Sequence, residues 1–214
     1  DFNRRMAQAA RQAADKSGRQ VFVAGSIGPS GKFLYPLGEL SFDELVDAFR
    51  EQVRGLMLGG VDLIIAETQF DIAEARAIVI AVRKEGDLPV AVSMTYEDGV
   101  TLTGSPVSAC AATLWNMGVD LIGMNCSAGP VEMRDAAHEL LSVCQGPVLI
   151  QPNAGLPSLT EDGKTVFPLA PDEFASLTGD FAGMGAQVVG GCCGTTPEHI
   201  SALKNNIMRL PAPE

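Results

Sequence analysis

Three cysteines occupy positions from which their side chains could act together. Cys192 and Cys193 are adjacent within the glycine-framed residues 190–194 and follow the apolar residues 186–189, while Cys126 ends an earlier apolar run. Thiolate sulfur is a preferred zinc ligand, and zinc held by three protein ligands keeps a fourth position for a substrate. The three cysteines therefore predict a catalytic zinc site, and a substrate thiol at the fourth position would make the chain a thiol-activating enzyme.

Because Cys192 and Cys193 are adjacent, they can bind one metal together only if the backbone there is not extended. Successive side chains of an extended strand point to opposite faces, so both sulfurs can reach one metal only where the extended geometry breaks. Gly190, Gly191 and Gly194 permit such a break, because glycine adopts backbone angles that are closed to other residues. Adjacent cysteines are also common as packing residues, so spacing alone leaves a metal site and a structural pair both open.

The other cysteines and the composition narrow the class of protein. Five cysteines is an odd number, and the charged residues 1–5 do not form a signal peptide, so we expect reduced thiols in a cytoplasmic protein. Cys110 and Cys144 lie in helical patterns, where a free cysteine behaves as a small buried hydrophobe. The net charge of −11 argues against a nucleic-acid partner, and no apolar stretch is long enough for a membrane span.

Six short apolar runs alternate with longer helical patterns. Their near-continuous apolar character is typical of strands that are buried on both faces of a parallel sheet. The phrase Gly-Val-Asp-Leu-Ile occurs at residues 60–64 and again at 118–122, and residues 185–189 echo it, so one helix-to-strand turn is used at least three times. The predicted strands are residues 21–24, 61–66, 89–94, 119–124, 147–150 and 187–190.

This repetition, without a GxGxxG fingerprint, favours an α/β fold of the (β/α)8 TIM-barrel type over a dinucleotide-binding sheet. A closed barrel needs eight strands, and the chain offers six. The chain also begins inside a helical pattern, residues 2–16, so we expect that the first two βα units are missing from its front. We expect a single domain over residues 1–210, with residues 211–214 as the start of a linker or tail.

Helix boundaries carry their own signals. Ser41 and Glu44 have the spacing of a capping box, and the helix that they begin should end near Gly59. Pro130 and Pro197 suit the first turns of two later helices, because proline lacks the N–H that would be unbonded there anyway.

Polar and sulfur side chains follow each of the six predicted strands. In a TIM barrel the active site lies at the carboxyl ends of the strands, so these side chains should converge on one mouth. They are Ser26, Glu67, Tyr96, Asn125 with Cys126, Asn153, and Cys192 with Cys193.

Four segments of the chain resemble one known family. They are residues 190–200 (GGCCGTTPEHI), 124–127 (MNCS), 151–155 (QPNAG) and 25–29 (GSIGP). Together they are similar to the homocysteine-binding barrel, or homocysteine S-methyltransferase domain, of cobalamin-dependent methionine synthases. The resemblance runs through nearly the whole chain, which departs from the family's pattern in lacking an Asp-Gly segment on the first strand.

The resemblance implies a zinc-dependent transfer of a methyl group to the thiolate of homocysteine, which gives methionine. It implies that Cys126, Cys192 and Cys193 bind Zn²⁺ and that homocysteine sulfur is the fourth ligand. The implied donor is methylcobalamin, carried by a separate domain and regenerated from methyltetrahydrofolate. Homocysteine and the cobalamin- and folate-binding domains of the same enzyme are then the expected partners.

Two more residues are candidates for substrate binding. Glu67 matches the acidic residue that holds the homocysteine ammonium in the resembled family. Asn125 is a candidate for orienting Cys126 or touching substrate, with a turn residue bonded to local backbone as the alternative.

Other functions remain open at this point. A stand-alone homocysteine S-methyltransferase using betaine or S-methylmethionine would share the glycine-cysteine-cysteine block. A non-catalytic zinc-binding barrel with a fourth protein ligand and a metal-free lyase barrel are the remaining alternatives.

Overall fold

The fold is built on one parallel sheet. The computed structural model describes residues 1–209, so residue 210 and the predicted linker or tail at residues 211–214 lie outside the described part of the chain. The strands are β1 (Ala24–Ile27), β2 (Leu63–Gln69), β3 (Val90–Met94), β4 (Leu121–Asn125), β5 (Val148–Gln151), β6 (Ser158–Leu159), β7 (Thr165–Val166) and β8 (Val188–Val189). Six of them form the sheet, in the order β1-β2-β3-β4-β5-β8, with all neighbours parallel.

Within residues 1–209, seven helices accompany these strands. They are α1 (Phe2–Lys16), α2 (Phe42–Leu58), α3 (Ile72–Glu85), α4 (Val107–Asn116), α5 (Arg134–Val143), α6 (Pro171–Gly183) and α7 (Pro197–Ile207). Neighbouring helices pack on one another and cover the outer face of the sheet, where Gly25 of β1 lies against Leu56 of α2. The opposite face of the sheet carries Ser93 and Asn125.

Most predicted elements are confirmed. The sheet has the six predicted strands in chain order, and the capping box at the start of α2 is formed, with Ser41 accepting from the Glu44 N–H and Glu44 from the Ser41 N–H. Pro197 is the first residue of α7. The prediction for Pro130 is wrong, because residues 130–133 form a turn after β4 and α5 begins only at Arg134.

The first strand lies three residues later than predicted. Residues 21–24 were expected to be extended and paired, yet the N–H of Val23 donates to the Asp62 carboxylate at 2.6 Å, and the ladder with β2 begins at Ala24. Asp62 thus bonds Val23 twice, because its carboxylate accepts from the Val23 N–H and its backbone N–H donates to the Val23 carbonyl at 2.8 Å.

The repeated helix-to-strand turn has a structural role that the sequence repeat did not disclose. Asp120, in the second copy of the phrase, accepts from the N–H of Val90 at 2.8 Å and pairs with Arg83 at 3.0 Å. Gln187, in the third copy, accepts from the N–H of Val148 at 2.7 Å. Together with Asp62, these side chains fasten three neighbouring strand pairs at the amino ends of the strands.

The sheet is open in the described residues, with β1 and β8 at its two edges. Strands β6 and β7 form a separate exposed antiparallel hairpin that the sequence did not predict. Within residues 1–209, none of the helices combines the length and apolar character needed to cross a membrane.

Candidate metal centre

Three sulfur atoms meet at the carboxyl end of the sheet. The Sγ atom of Cys193 lies 3.8 Å from that of Cys126 and 4.0 Å from that of Cys192. All three sulfurs lie within 4.8 Å of one another, and no other group of three or more such ligand side chains occurs in the described part of the chain. We call these three residues the cysteine cluster.

The end of β5 brings the two cysteine segments together. Strand β5 lies between β4, which Cys126 follows, and β8, which precedes the other two cysteines. The Cys126 N–H donates to the carbonyl of Gln151 at 3.3 Å, and the Cys192 N–H donates to the carbonyl of Pro152 at 2.9 Å. Both cysteine segments are therefore hydrogen-bonded to the same stretch of backbone.

The predicted break in extended geometry is present before Cys192. Strand β8 ends at Val189, and the cysteine pair lies in a turn in which the Thr195 hydroxyl donates to the Cys192 carbonyl at 2.7 Å. Gly194 has a φ of +80°, and a side chain there would collide with the ring of Phe167. Glycine is required at this position for both reasons.

Two other strand ends at the same edge have unusual backbone angles. Cys126 and Ser127 have φ values of +63° and +61°, and Thr68 in β2 has +59°. Residues other than glycine rarely adopt this left-handed region, and such strain concentrates at functional sites.

Asn125 joins the cluster to β2. Its Nδ2 atom lies 3.6 Å from the Cys192 sulfur and 2.9 Å from the Thr68 hydroxyl. Its Oδ1 atom accepts from the Thr68 N–H at 2.9 Å and from the Ser93 hydroxyl at 2.7 Å. Asn125 therefore contacts Cys192, whereas the sequence had suggested the neighbouring Cys126 as its partner.

Glu67 lies at the same edge, on a neighbouring strand. The pairing of β2 with β3 shifts by one residue between Ala66 and Gln69, so Glu67 and Thr68 occupy a bulge. The Glu67 carboxylate accepts a hydrogen bond from the Ser26 hydroxyl of β1 and remains half-buried.

Burial and mutual proximity raise the pKa values of two cluster thiols. Burial raises the pKa of Cys192, and partial desolvation of its sulfur together with the neighbouring Cys192 thiolate raises the pKa of the largely exposed Cys193 to about 12. Crowded thiols retain their protons because a second negative charge beside the first is unfavourable. A bound cation would remove that obstacle.

The cluster fits zinc in both spacing and chemistry. Zn–S bonds of about 2.3 Å at the tetrahedral angle set ligand sulfurs about 3.8 Å apart, close to the two shortest distances here. Thiolate ligands select soft or borderline metals such as zinc over magnesium or calcium.

Several other side chains capable of chemistry lie outside the sulfur contacts. The Asn153 side chain accepts from the Cys193 N–H at 3.1 Å and so holds the cysteine turn. Tyr96 and Cys110 are buried next to each other, and burial raises the pKa of both. The ring of His199 caps the start of α7 and contacts the Leu169 carbonyl at 2.9 Å.

The sequence reasoning missed Thr68 and Ser93. Ser93 had a signal, because it is the one polar residue in the otherwise apolar strand β3. Thr68 had none, because its position depends on the bulge in β2.

Comparison with known proteins identifies the family. The family model for homocysteine S-methyltransferases matches residues 1–207. The chain is 38% identical to methionine synthase of Mycobacterium tuberculosis over 224 aligned residues, and 38% identical to that of Mycobacterium leprae over 219. These alignments cover 100% and 98% of this chain but only 19% and 18% of the relatives, so the chain spans about a fifth of their length.

Solved structures agree with this assignment. The apo form of the homocysteine methyltransferase MmuM from Escherichia coli superposes with a TM-score of 0.73 and 26% identity, covering 94% of this chain and 70% of that chain. Its metallated form gives a TM-score of 0.70 and 25% identity, covering 94% and 66%. The likeness confirms the predicted TIM-barrel type of fold, of which the described residues form six strands. By sequence and by structure, the chain belongs to the homocysteine S-methyltransferase family.

Proposed function

We propose that this chain is the homocysteine-binding module of a methionine synthase. It transfers a methyl group to the sulfur of homocysteine, and the donor is methylcobalamin that a separate domain carries and that methyltetrahydrofolate regenerates. The observation that supports the proposal most directly is the meeting of three cysteine sulfurs within 4.8 Å at the carboxyl end of a parallel sheet.

Cys126, Cys192 and Cys193 would hold Zn²⁺ in this proposal. When bound, the metal supplies a cationic centre that lowers the pKa of a coordinated thiol and keeps it as thiolate. The protein contributes the positions of the three sulfurs, and both cysteine segments are held by hydrogen bonds to the carbonyls of Gln151, the last residue of β5, and Pro152, which follows it.

Glu67 would bind the ammonium group of homocysteine. Its carboxylate lies at the same edge of the sheet as the cluster and is restrained by Ser26. Thr68, the next residue, is linked through Asn125 to Cys192, so the amine-binding and sulfur-binding parts of the site share one hydrogen-bond network.

The choice of donor and partner domains is supported by the relatives. Identity is 38% to two methionine synthases and 26% to MmuM, which favours the methionine synthase branch. Those synthases are about five times as long as this chain, which leaves room for the cobalamin- and folate-binding domains that we propose as partners. We place the enzyme in the cytoplasm, where a reducing environment keeps all five cysteines as thiols.

Zinc stoichiometry tests the metal assignment. Elemental analysis of the full-length protein should give one zinc per chain for the wild type and far less for Cys126→Ser. Cys144→Ser, a partly buried cysteine outside the cluster, is the matched control and should retain zinc. Equal zinc in the wild type and Cys126→Ser would remove Cys126 from the site.

X-ray absorption tests the catalytic assignment. Addition of homocysteine should raise the number of sulfur neighbours of zinc from three to four. A four-ligand shell that homocysteine leaves unchanged would instead indicate a structural zinc site and contradict the proposed enzyme.

A further inference from the structure

Asn125 occupies a buried position among polar groups from three elements. It ends β4, the residue is only 2% exposed, and it lies between Thr68 of β2, Ser93 of β3 and Cys192 after β8. A buried amide is costly unless its donors and acceptors are bonded, and every polar atom of this side chain has a partner. The site therefore holds Asn125 in one orientation.

The backbone fixes which way the amide points. The Thr68 N–H can only donate, so the atom 2.9 Å away from it must be the Asn125 oxygen. The Ser93 hydroxyl donates to that same oxygen at 2.7 Å. The NH₂ group is thereby directed toward the Thr68 hydroxyl and the Cys192 sulfur.

An N–H directed at a thiolate has two effects on a metal ligand. It fixes the direction of the sulfur, and it withdraws electron density from it, since the hydrogen bond stabilises charge on sulfur. Residues that support metal ligands in this way typically change metal affinity or activity by about 10- to 100-fold when removed.

We propose that Asn125 is a positioning residue that aims and electronically tunes Cys192, and that Ser93 and Thr68 hold it in place for this purpose. The inference rests on the proposed function, because it concerns the metal that the cluster would bind. It adds that the bulge carrying Glu67 and Thr68 is tied to the cluster through one amide, so substrate-amine and sulfur positions are set together.

Cobalt substitution tests the inference without relying on catalysis. The full-length protein and three variants, Asn125→Ala, Asn125→Asp and Ser93→Ala, are titrated with Co²⁺, and the sulfur-to-cobalt charge-transfer absorption is recorded. Asn125→Ala should bind Co²⁺ about 10- to 100-fold more weakly than the wild type. In both Asn125 variants the band should move to longer wavelength, because a sulfur without its hydrogen bond is a better electron donor.

Ser93→Ala is the graded comparison. It removes one of the two bonds to the amide oxygen but leaves the Thr68 N–H, so the amide still faces Cys192, and affinity and spectrum should shift in the same direction as in Asn125→Ala but by less. Asn125→Asp keeps the oxygen that accepts from Thr68 and Ser93, so it should fold and carries the spectral test should Asn125→Ala fail to fold. Thermal unfolding of the metal-free proteins shows which variants are folded.

The outcomes separate this inference from the proposed function. Unchanged affinity and spectrum in both Asn125 variants, beside a wild type with thiolate-cobalt bands, would overturn the inference alone. A wild type without those bands would overturn both. Loss of folding in both Asn125 variants would show that the residue serves the fold instead of the site, and would also overturn the inference.

Discussion

The two ends of the sheet use polar side chains in opposite ways. At the amino ends, Asp62, Asp120 and Gln187 each bond the backbone of one neighbouring strand. At the carboxyl ends, side chains from distant segments converge on one point, the cysteine cluster. A side-chain bond that serves one pair of strands can occur several times along the chain, whereas a cluster built from distant segments occurs at one place. We therefore connect the repeated phrase with stability and the unrepeated cysteines with the chemistry that we propose.

The sharpest test of this contrast is Cys193→Ser. Methyl transfer by the full-length enzyme should fall by more than about 100-fold, which is the upper range for loss of a residue that merely supports a ligand. The free energy of unfolding of the metal-free protein should change by about 0.5 kcal/mol or less, because the side chain is exposed. Activity assays and urea unfolding measure the two quantities, with Cys144→Ser as the control. A large stability loss would contradict the separation of roles.

Zinc binding to the cysteine cluster should depend on pH. Because the pKa values of Cys192 and Cys193 are raised, both thiols are protonated at neutral pH in the metal-free protein and must release protons when zinc binds. Apparent zinc affinity should therefore rise at least about 100-fold per pH unit between pH 6 and 8, since these two ligands alone release two protons when zinc binds. Competition with a chelator across this range measures it, and a pH-independent affinity would contradict the assignment.

The same raised pKa values should make the metal-free protein less stable as pH rises, whereas zinc affinity should increase with pH. A thiol that ionises less readily when folded favours the folded state less as pH rises above about 8.5, where the unfolded chain ionises. The melting temperature of the metal-free protein should therefore fall above that pH, and Cys193→Ser should weaken the fall.

Asp120→Ala tests the amino end of the sheet. It leaves the buried Val90 N–H without its acceptor and Arg83 without its partner, so stability should fall by about 1–3 kcal/mol while zinc content stays at the wild-type value. Asp47→Ala, which removes an exposed ion pair with Arg50, is the control and should cost about 0.5 kcal/mol or less. Loss of zinc in folded Asp120→Ala would show that the two ends are coupled.

Gln187→Ala should have the smallest effect of the series. The side chain is neutral and has no ion pair such as that of Asp120 with Arg83, so loss of its bond to the Val148 N–H should cost about 1 kcal/mol or less. Gln187→Glu retains an acceptor oxygen and should be closer to the wild type. Urea unfolding of both variants measures the difference, and a cost equal to that of Asp120→Ala would contradict the ranking.

Local signals made much of the fold predictable. Apolar runs predicted the six strands, and the Ser41 and Glu44 pair predicted a cap that the structure contains. Edges were less predictable, since β1 begins only after Val23, whose N–H is taken by a side chain 39 residues away. The short hairpin of β6 and β7 gave no apolar signal because it is exposed.

The convergence of the three cysteine sulfurs was predictable from the sequence, but the side chains that contact them were not. Glycines around Cys192 and Cys193 indicated the turn that the structure contains, and the strand order brings Cys126 beside it. The contact of Asn125 with Cys192 joins the end of β4 to the turn after β8, two residues 67 positions apart, and no local pattern encodes such a long-range arrangement.

The hydrogen bonds that the carbonyls of Gln151 and Pro152 accept from Cys126 and Cys192 have a consequence for variation in this fold. The spacing of the three sulfurs depends on these two peptide carbonyls, and every amino acid has such a carbonyl. Substitutions in the outer helices and longer surface loops should therefore leave the spacing of the three sulfurs unchanged. An insertion of a single residue between these two carbonyls would, by contrast, separate Cys126 from Cys192 and Cys193.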